Sequence, residues 1–146
     1  MAVDRSFIER NRASTQRIRA LAERLKDEEM RTPLGEHWTI SMMFVHMSFW
    51  DRRALLVLEK TEQDGRLNTT GAVDMVVNDI MLPVIAAVPP REAARIVVET
   101  ADALDRKLET YPPALLEEVY ACYDRWVERY WHRNVHLDEA EAALKI

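Results

Sequence analysis

The sequence predicts an all-α domain of four main amphipathic helices, with a short extra helix between the second and the third. Three observations predict this class. Long segments carry apolar residues at three- and four-residue spacing, prolines and glycines separate these segments, and no run of alternating apolar and polar residues indicates a β-strand. We therefore expect an antiparallel helical bundle that forms one domain over residues 1–146.

The first helix is predicted from Asp4 to Met30, and the segment 31–35, which contains a proline and a glycine, ends it. Asn11 and Ser14 lie on the apolar side of this helix, so its first half is only partly apolar. The apolar stripe of the helix is formed by Phe7, Ile18, Leu21 and Leu25.

The second helix is predicted to begin near Thr39 or Ser41, because either hydroxyl can cap a helix N-terminus. It ends before the polar stretch Glu62–Gly65, and a loop follows to about Gly71. One face of the helix carries its apolar residues, which are Ile40, Met43, Met47, Trp50, Ala54 and Leu58.

The remaining segments are separated by prolines. A short apolar helix is predicted over Val73–Val88, with Pro83 bending or interrupting it. The third main helix opens at Pro89-Pro90 and ends at Tyr111-Pro112-Pro113. The last segment, Ala114–Ile146, is helical in composition and is predicted to break before about Trp126.

Composition excludes several classes of partner. The chain has 20 basic and 25 acidic residues, a net charge of -5, so nothing favours nucleic acid or an anionic membrane. The arginines of the first helix are nearly balanced by acids, a pattern typical of a solvated helix face. No apolar stretch reaches the ~20 residues of a membrane span, and charges near the N-terminus argue against a secretory signal. The single cysteine, Cys122, suits a reducing compartment, so we expect a cytoplasmic protein with a small buried thiol there.

The four histidines are the candidates for chemistry. His132 and His136 are four residues apart, which places both imidazoles on one helix face, where they can bind one metal ion. The alternative is a pair of exposed or capped histidines near a helix end. His46 is the candidate third ligand, although a histidine at the edge of an apolar face is often a core residue. For His37, beside the second helix, we favour a loop histidine over a substrate or metal contact.

Other side chains near these histidines have weaker support. The zinc-protease pattern HExxH is absent because Arg133 and Asn134 follow His132, so no general base is evident. Asp138 and Glu139 are interpreted as solvent-facing charges. A group of aromatic residues is interpreted mainly as packing for the last helix, with a wall over the metal as the alternative: Tyr120, Tyr123, Trp126, Tyr130 and Trp131.

Two segments together resemble the DinB-like family. The first is Trp38–Asp51, which has a tryptophan before the second helix, then a histidine, then a tryptophan-aspartate pair about one turn later; the second is His132–Glu139. The resemblance implies a DinB-like four-helix bundle with up-down-down-up connectivity, related to mycothiol-dependent maleylpyruvate isomerase and bacillithiol transferase folds. The crossover between helices 2 and 3, residues 61–88, would hold the short extra helix. The resemblance also implies a metal held by His46, His132 and His136.

The function expected from these features is that of a metal-dependent enzyme acting on a small molecule. Imidazole ligands suit zinc, nickel, copper or iron, and of these zinc or nickel is the favoured metal. The resemblance favours thiol transfer or isomerisation with a low-molecular-weight thiol as cosubstrate. The alternatives are a metal-dependent hydrolase and a non-catalytic metal-binding stress-response bundle. We also expect a homodimer, because the family tends to pair and the segment 73–88 is rich in apolar residues.

Overall fold

The computed structural model describes residues 2–71 and 76–146, and over these ranges the chain is mainly α-helical, as predicted. None of the described helices is both long enough and apolar enough to cross a membrane. The elements in chain order are α1 (Phe7–Arg24), α2 (Asp27–Met30), β1 (Pro33–Leu34), β2 (Trp38–Thr39), α3 (Ile40–Asp64), α4 (Val76–Ala86), α5 (Pro90–Glu109), α6 (Pro113–Cys122), a 3-10 turn (Asp124–Trp126) and α7 (Tyr130–Leu144).

The predicted first helix is divided into two, and it begins at Phe7 rather than Asp4. Its backbone is extended at Leu25 and Lys26. The Lys26 amide donates to Oε1 of Glu29 at 3.1 Å, which caps the separate helix α2. Arg91, on α5, donates to the Leu25 carbonyl at 2.7 Å. The prediction of one continuous helix was wrong because this long-range contact supports a break that no proline or glycine marks.

The short antiparallel hairpin leads directly into α3. Strand β1 pairs with β2 so that Pro33 faces Thr39 and Leu34 faces Trp38. The hydroxyl of Thr39 accepts a hydrogen bond from the Met42 amide at 3.2 Å, which confirms Thr39 as one of the two predicted caps. Helix α3 continues to Asp64, past its predicted end, and stops at Gly65, whose φ of 67° is in the left-handed region.

In the second half of the chain, the helix boundaries lie close to the predicted positions. Helix α4 contains Pro83, and the predicted start of this helix at Val73 lies outside the described residues. Helix α5 begins at Pro90, and the last segment breaks before α7, both as predicted. Four apolar side chains of the α4 region belong to the main core of the same chain or pack against it: Met81, Leu82, Ile85 and Val88.

Two hydrophobic clusters form the core. The larger cluster takes residues from α1, α3, α5 and α7, including Leu21, Met43, Val97 and Leu137. The smaller cluster draws on α1, α3, α5, α6 and the segment before α7, and includes Phe7, Leu55, Leu108 and Val127. Along the chain, α1 contributes first to the smaller cluster, whereas α3 contributes first to the larger one.

A group of buried polar residues forms a third part of the interior, which we call the polar layer. Along both α1 and α3, its residues come between those of one hydrophobic cluster and those of the other. Its members are nearly inaccessible to solvent, and each makes hydrogen bonds within the protein. Buried charges are stable only when they are paired in this way. The polar layer consists of Asn11, Ser14, Thr15, Asp51, Asp105, Arg129 and Arg133.

Two arginines of α1 connect this helix to its neighbours. Arg12 Nη1 lies 2.8 Å from a carboxylate oxygen of Asp102 on α5. Arg17 Nη2 lies 2.9 Å from a carboxylate oxygen of Asp138 on α7. The predicted solvated face is therefore wrong for these two residues, because the sequence does not show which acids the neighbouring helices present.

Candidate metal centre

The three predicted histidines lie together where α3 faces α7. His46 projects from α3 and is 8% exposed, while His132 and His136, one turn apart on α7, are partly buried. Their ligand atoms all lie within 4.8 Å of one another, so the group could hold a metal ion. The i, i+4 spacing on α7 produces this geometry, because it stacks two imidazoles on one face of the helix.

The nitrogen separations suit a small divalent cation. Nε2 of His132 lies 3.2 Å from Nε2 of His46 and 3.2 Å from Nε2 of His136. Two nitrogens that each bind a tetrahedral zinc ion at about 2.1 Å are themselves about 3.4 Å apart. The ligand set of three imidazoles fits zinc, nickel, copper or iron.

The two histidines of α7 have opposite kinds of hydrogen-bond partner at Nδ1, an acceptor in one case and a donor in the other. Nδ1 of His136 lies 3.1 Å from Oε2 of Glu139, an acceptor, so Nδ1 carries the proton and Nε2 keeps a lone pair for a metal. Nδ1 of His132 lies 3.1 Å from Nη2 of Arg129, which can only donate. In neutral His132 the proton is therefore on Nε2, so a metal ion at Nε2 requires this contact to rearrange.

Two of the histidines are held in the neutral form that a metal needs. Burial, together with the charges of His136 and Arg129, lowers the pKa of His46 to about 3. Burial also lowers the pKa of His132 to about 2, with Arg129 as the next largest cause. Both imidazoles are therefore neutral near neutral pH, so a metal ion would not have to displace a proton from an imidazolium.

Ion pairs of the polar layer fix the position of α7, the helix that carries His132 and His136. Arg129 Nε donates to Oδ1 of Asp51 at 2.8 Å, and Arg133 Nε donates to Oδ2 of the same carboxylate at 2.9 Å. Arg133 also binds Oδ1 of Asp105 on α5 at 2.9 Å. Burial raises the pKa of Asp105, while Arg133 and a hydrogen bond from Thr15 act to lower it. Through these contacts α7 is held in one rotation relative to α3 and α5.

An open cleft of about 1120 Å³ gives access to the three histidines. Trp38 packs edge-on against His46, with 4.7 Å between ring centroids, and Trp50 lies one turn beyond His46 on α3. Arg125, Arg129 and Glu139 contribute charged groups to the same cleft. The cleft is large enough for a small molecule and has both apolar and charged walls.

The two other candidate residues, His37 and Cys122, are both exposed. His37 lies outside the group, with a side chain 71% exposed and its ring 3.7 Å from Glu36, as expected of a loop histidine. Cys122 is exposed rather than buried, because it is the last residue of α6, whose buried side chains are Leu116 and Val119. The expectation of a buried thiol was wrong.

The acids near the histidines are exposed, as interpreted from the sequence, whereas part of the aromatic group is placed differently. Exposed Glu139 and Asp138 also contact His136 and Arg17, respectively. Three aromatics that were interpreted mainly as packing line the cleft, as the alternative interpretation proposed: Tyr123, Trp126 and Trp131.

Arg129, Asp105 and the role of Arg133 were not predicted from the sequence. One signal was present, because Asn11 and Ser14 interrupt the apolar stripe of α1. Ser14 Oγ accepts a hydrogen bond from Arg133, while the side-chain amide of Asn11 donates to the Val127 carbonyl and accepts from the Tyr130 amide. Polar residues on an apolar stripe indicate a buried polar partner on another helix.

No family model matches this chain, and no curated protein or solved structure matches it either. The DinB-like resemblance therefore continues to depend on the two sequence segments that suggested it.

Proposed function

We propose that this protein is a metal-dependent enzyme of the DinB-like type, in which His46, His132 and His136 bind one divalent ion, zinc or nickel. The observation that carries this proposal is the convergence of three imidazoles beside an open cleft. His46 and His132 are 86 positions apart in the sequence. Removing their two imidazole rings from water costs free energy, so a functional reason for bringing them together is expected.

We also propose the DinB-like four-helix topology for α1, α3, α5 and α7. The order in which each helix meets the two core clusters supports it: α1 runs from the smaller cluster to the larger, and α3 and α5 run from the larger to the smaller. Helix α7 runs from the polar layer to the larger cluster. These directions correspond to up-down-down-up, with α4 in the connection between α3 and α5.

The number of ligands supports an enzyme over a structural metal site. Structural zinc sites are closed by four protein ligands, whereas catalytic sites have three and keep an open position. Among the described residues the group contains three histidines and no fourth histidine, cysteine or carboxylate. A bound metal would supply a Lewis acid that can hold a thiolate, water or substrate oxygen. The chain's own part is to orient His136 through Glu139 and to shield His46 with Trp38.

For the reaction, we favour transfer or isomerisation with a low-molecular-weight thiol, which the family resemblance implies. Hydrolysis is the second candidate, because the Glu139 carboxylate lines the same cleft and could serve as a general base. Glu139→Gln separates the two. A hydrolase would lose most of its rate, while a thiol transferase that does not use this carboxylate as a base would keep a measurable rate with an unchanged pH profile.

Metal binding is tested first, by titrating chelator-treated protein with Zn²⁺ and Ni²⁺ in a calorimeter. We expect one ion per 17.0 kDa chain. His46→Ala should weaken binding by more than the ~10–100-fold that loss of an outer hydrogen bond causes, because it removes a ligand itself. His37→Ala is the matched control and should bind like the wild type. Unchanged stoichiometry and affinity in His46→Ala would refute this ligand set.

Catalysis is tested next on the metal-loaded protein. The wild type and His46→Ala are incubated with a panel of low-molecular-weight thiols, electrophilic acceptors and esters. Loss of free thiol reports transfer. Isomerisation regenerates the thiol, so it is followed, like ester hydrolysis, by chromatography of the substrate and product. A rate that requires both the metal and His46 supports the enzyme. Stoichiometric metal binding without any turnover across thiol and ester substrates would instead support the non-catalytic metal-binding bundle.

A further inference from the structure

All four tryptophans of the chain line the same cleft. They come from separate parts of the fold, namely β2, α3, the 3-10 turn and α7, and are Trp38, Trp50, Trp126 and Trp131. Trp131 is 49% exposed, although a large apolar ring is usually covered. Gathered indole rings offer flat apolar faces on which a planar molecule can stack.

Arg125 supplies a cation at this aromatic wall. Its guanidinium carbon lies 4.5 Å from the centroid of the Trp131 ring, a cation–π contact. Within residues 2–71 and 76–146, no carboxylate lies within 4.0 Å of this guanidinium. A guanidinium stacked by its face leaves its edge N–H groups free to bind a carboxylate with two parallel hydrogen bonds.

The backbone of Arg125 is held in place as well. Its carbonyl oxygen accepts a hydrogen bond from Nη1 of Arg129 at 2.8 Å. Arg129 also lines the cleft, but its charge is matched by Asp51, so it is already paired. Glu139, the acid that lines the cleft, is in contact with His136. Among the described residues that line the cleft, Arg125 is therefore the arginine without a carboxylate partner, and it can bind an anionic ligand.

From these observations we propose that the cleft binds a planar, aromatic carboxylate, with its ring on the tryptophans and its carboxylate on Arg125. The inference extends the proposed function by naming the substrate class of the same cleft. A divalent ion on the three neutral histidines would add positive charge and favour the same anion. Binding to Arg125 does not itself require the metal, so the two proposals can fail separately.

The test compares three small probes in the metal-free protein by calorimetry. Benzoate has both the ring and the charge, benzamide has the ring without the charge, and acetate has the charge without the ring. We expect benzoate to bind roughly tenfold more tightly than either of the others, because it alone makes both the stacking and the charge-assisted contact. Equal affinity of benzoate and benzamide, or of benzoate and acetate, would overturn the proposal.

Variants then test whether Arg125 causes the preference for benzoate over benzamide. Arg125→Gln should bind benzoate and benzamide equally, and its benzamide affinity should match the wild type. Arg19→Gln removes the same charge from the exposed side of α1 and should leave all three affinities unchanged. If Arg125→Gln does not fold, Arg125→Lys is used, which keeps the charge but loses the paired geometry and should weaken benzoate several-fold.

The same titrations are repeated after Zn²⁺ is added. A preference for benzoate that is absent without metal, appears with metal and survives Arg125→Gln would place the carboxylate on the metal and overturn the assignment to Arg125. A preference that needs Arg125 in the metal-free protein supports it, even if Zn²⁺ binding itself fails. Failure of the metal site would appear separately, as loss of Zn²⁺ binding in the absence of any probe.

Discussion

At the scale of single residues, Arg129 makes a contact with His132 that conflicts with a metal ion on the same ring. It pairs with Asp51 in the polar layer, and it donates to Nδ1 of His132. A metal at Nε2 of His132 is best supported when Nδ1 carries a proton and faces an acceptor, as His136 faces Glu139. Arg129 provides the opposite, a donor and a positive charge, so it opposes metal binding in the arrangement that the structure shows.

Arg129→Gln should therefore tighten metal binding. The amide oxygen of glutamine can accept the Nδ1 proton of His132, and the substitution removes a positive charge close to the ion. We expect the affinity for Zn²⁺ to rise by roughly tenfold, the size of effect that a hydrogen bond to a metal-binding histidine typically has. Arg125→Gln is the control, since it removes one charge from the same cleft without touching His132. Weaker Zn²⁺ binding in Arg129→Gln would show that Arg129 supports the site instead.

Tyr111 is a second residue whose environment has a measurable consequence. Its side chain is buried, and the hydroxyl donates to the Leu58 carbonyl at 2.6 Å. Burial, followed by the charge of Glu62, raises the pKa of Tyr111 to about 12. The folded state therefore favours the neutral phenol. The stabilisation is complete below the unfolded pKa of about 10 and is lost as the pH rises from there through the folded value.

Urea unfolding measured from about pH 8 to about pH 12 tests this expectation. Stability of the wild type should fall by at most about 1.4 kcal/mol per pH unit through this group in the alkaline window. Tyr111→Phe should be less stable near neutral pH by about 1 kcal/mol, because it loses a hydrogen bond, and should decline less steeply above pH ~10. Tyr123→Phe, at an exposed tyrosine, should follow the wild-type curve. An equally steep decline in Tyr111→Phe would assign the alkaline loss to other groups.

At the scale of helices, α7 depends on one buried charge. The buried residues of α7 are Arg133, Leu137 and Ala140, a narrow apolar contribution for a helix of 15 residues. Arg133 is fully buried and reaches α1, α3 and α5 through Ser14, Asp51 and Asp105. This single guanidinium therefore joins all four of the longest helices.

Arg133→Met should destabilise the protein by about 3–5 kcal/mol, because it leaves buried carboxylates without their shared partner. Arg95→Met is the control. Arg95 is exposed and pairs with Glu92 and Glu99 on the surface, where ion pairs contribute little, so its loss should leave the stability close to that of the wild type. Chemical unfolding of both variants measures the difference. Equal stability of the two would mean that the polar layer adds nothing to the free energy of folding.

Sequence predicts the parts of this architecture that depend on local pattern. The N-cap of α3 at Thr39 and the start of α5 at Pro90 followed from capping and proline chemistry, which act over one turn. The pairing of His132 with His136 followed from helix geometry. The polar layer could not be predicted in the same way, since Arg133 and Asp51 are 82 positions apart. The break at Leu25 was missed for the same reason, because Arg91 is distant in sequence from the carbonyl that it binds.

At the scale of the whole molecule, the homodimer stays a prediction. One of its sequence arguments is weaker in the structure, because four apolar side chains of the α4 region, Met81, Leu82, Ile85 and Val88, pack in the chain's own core. Val84, in contrast, has 55% of its surface exposed. Val84 is therefore the described α4 residue to test in a contact between two copies.

Light scattering across micromolar concentrations should give twice the 17.0 kDa mass of one chain. Val84→Glu should shift this mass toward the monomer, because a carboxylate would be buried in an apolar contact. Val135→Glu, at an equally exposed valine on α7, is the control and should leave the mass unchanged. A wild-type mass of 17.0 kDa at every concentration would contradict the dimer.

The division of α7 into two faces bears on how this protein can diversify. One face, with Arg133, Leu137 and Ala140, anchors the helix, while Trp131, Val135 and Glu139 are exposed and face the cleft. Substitutions at exposed positions usually change stability by less than about 0.5 kcal/mol. Natural selection or a designed library can therefore vary Trp131 and Val135 to accept new ligands while the chain keeps its fold. Glu139 is less free to change, because its contact with His136 orients that ring.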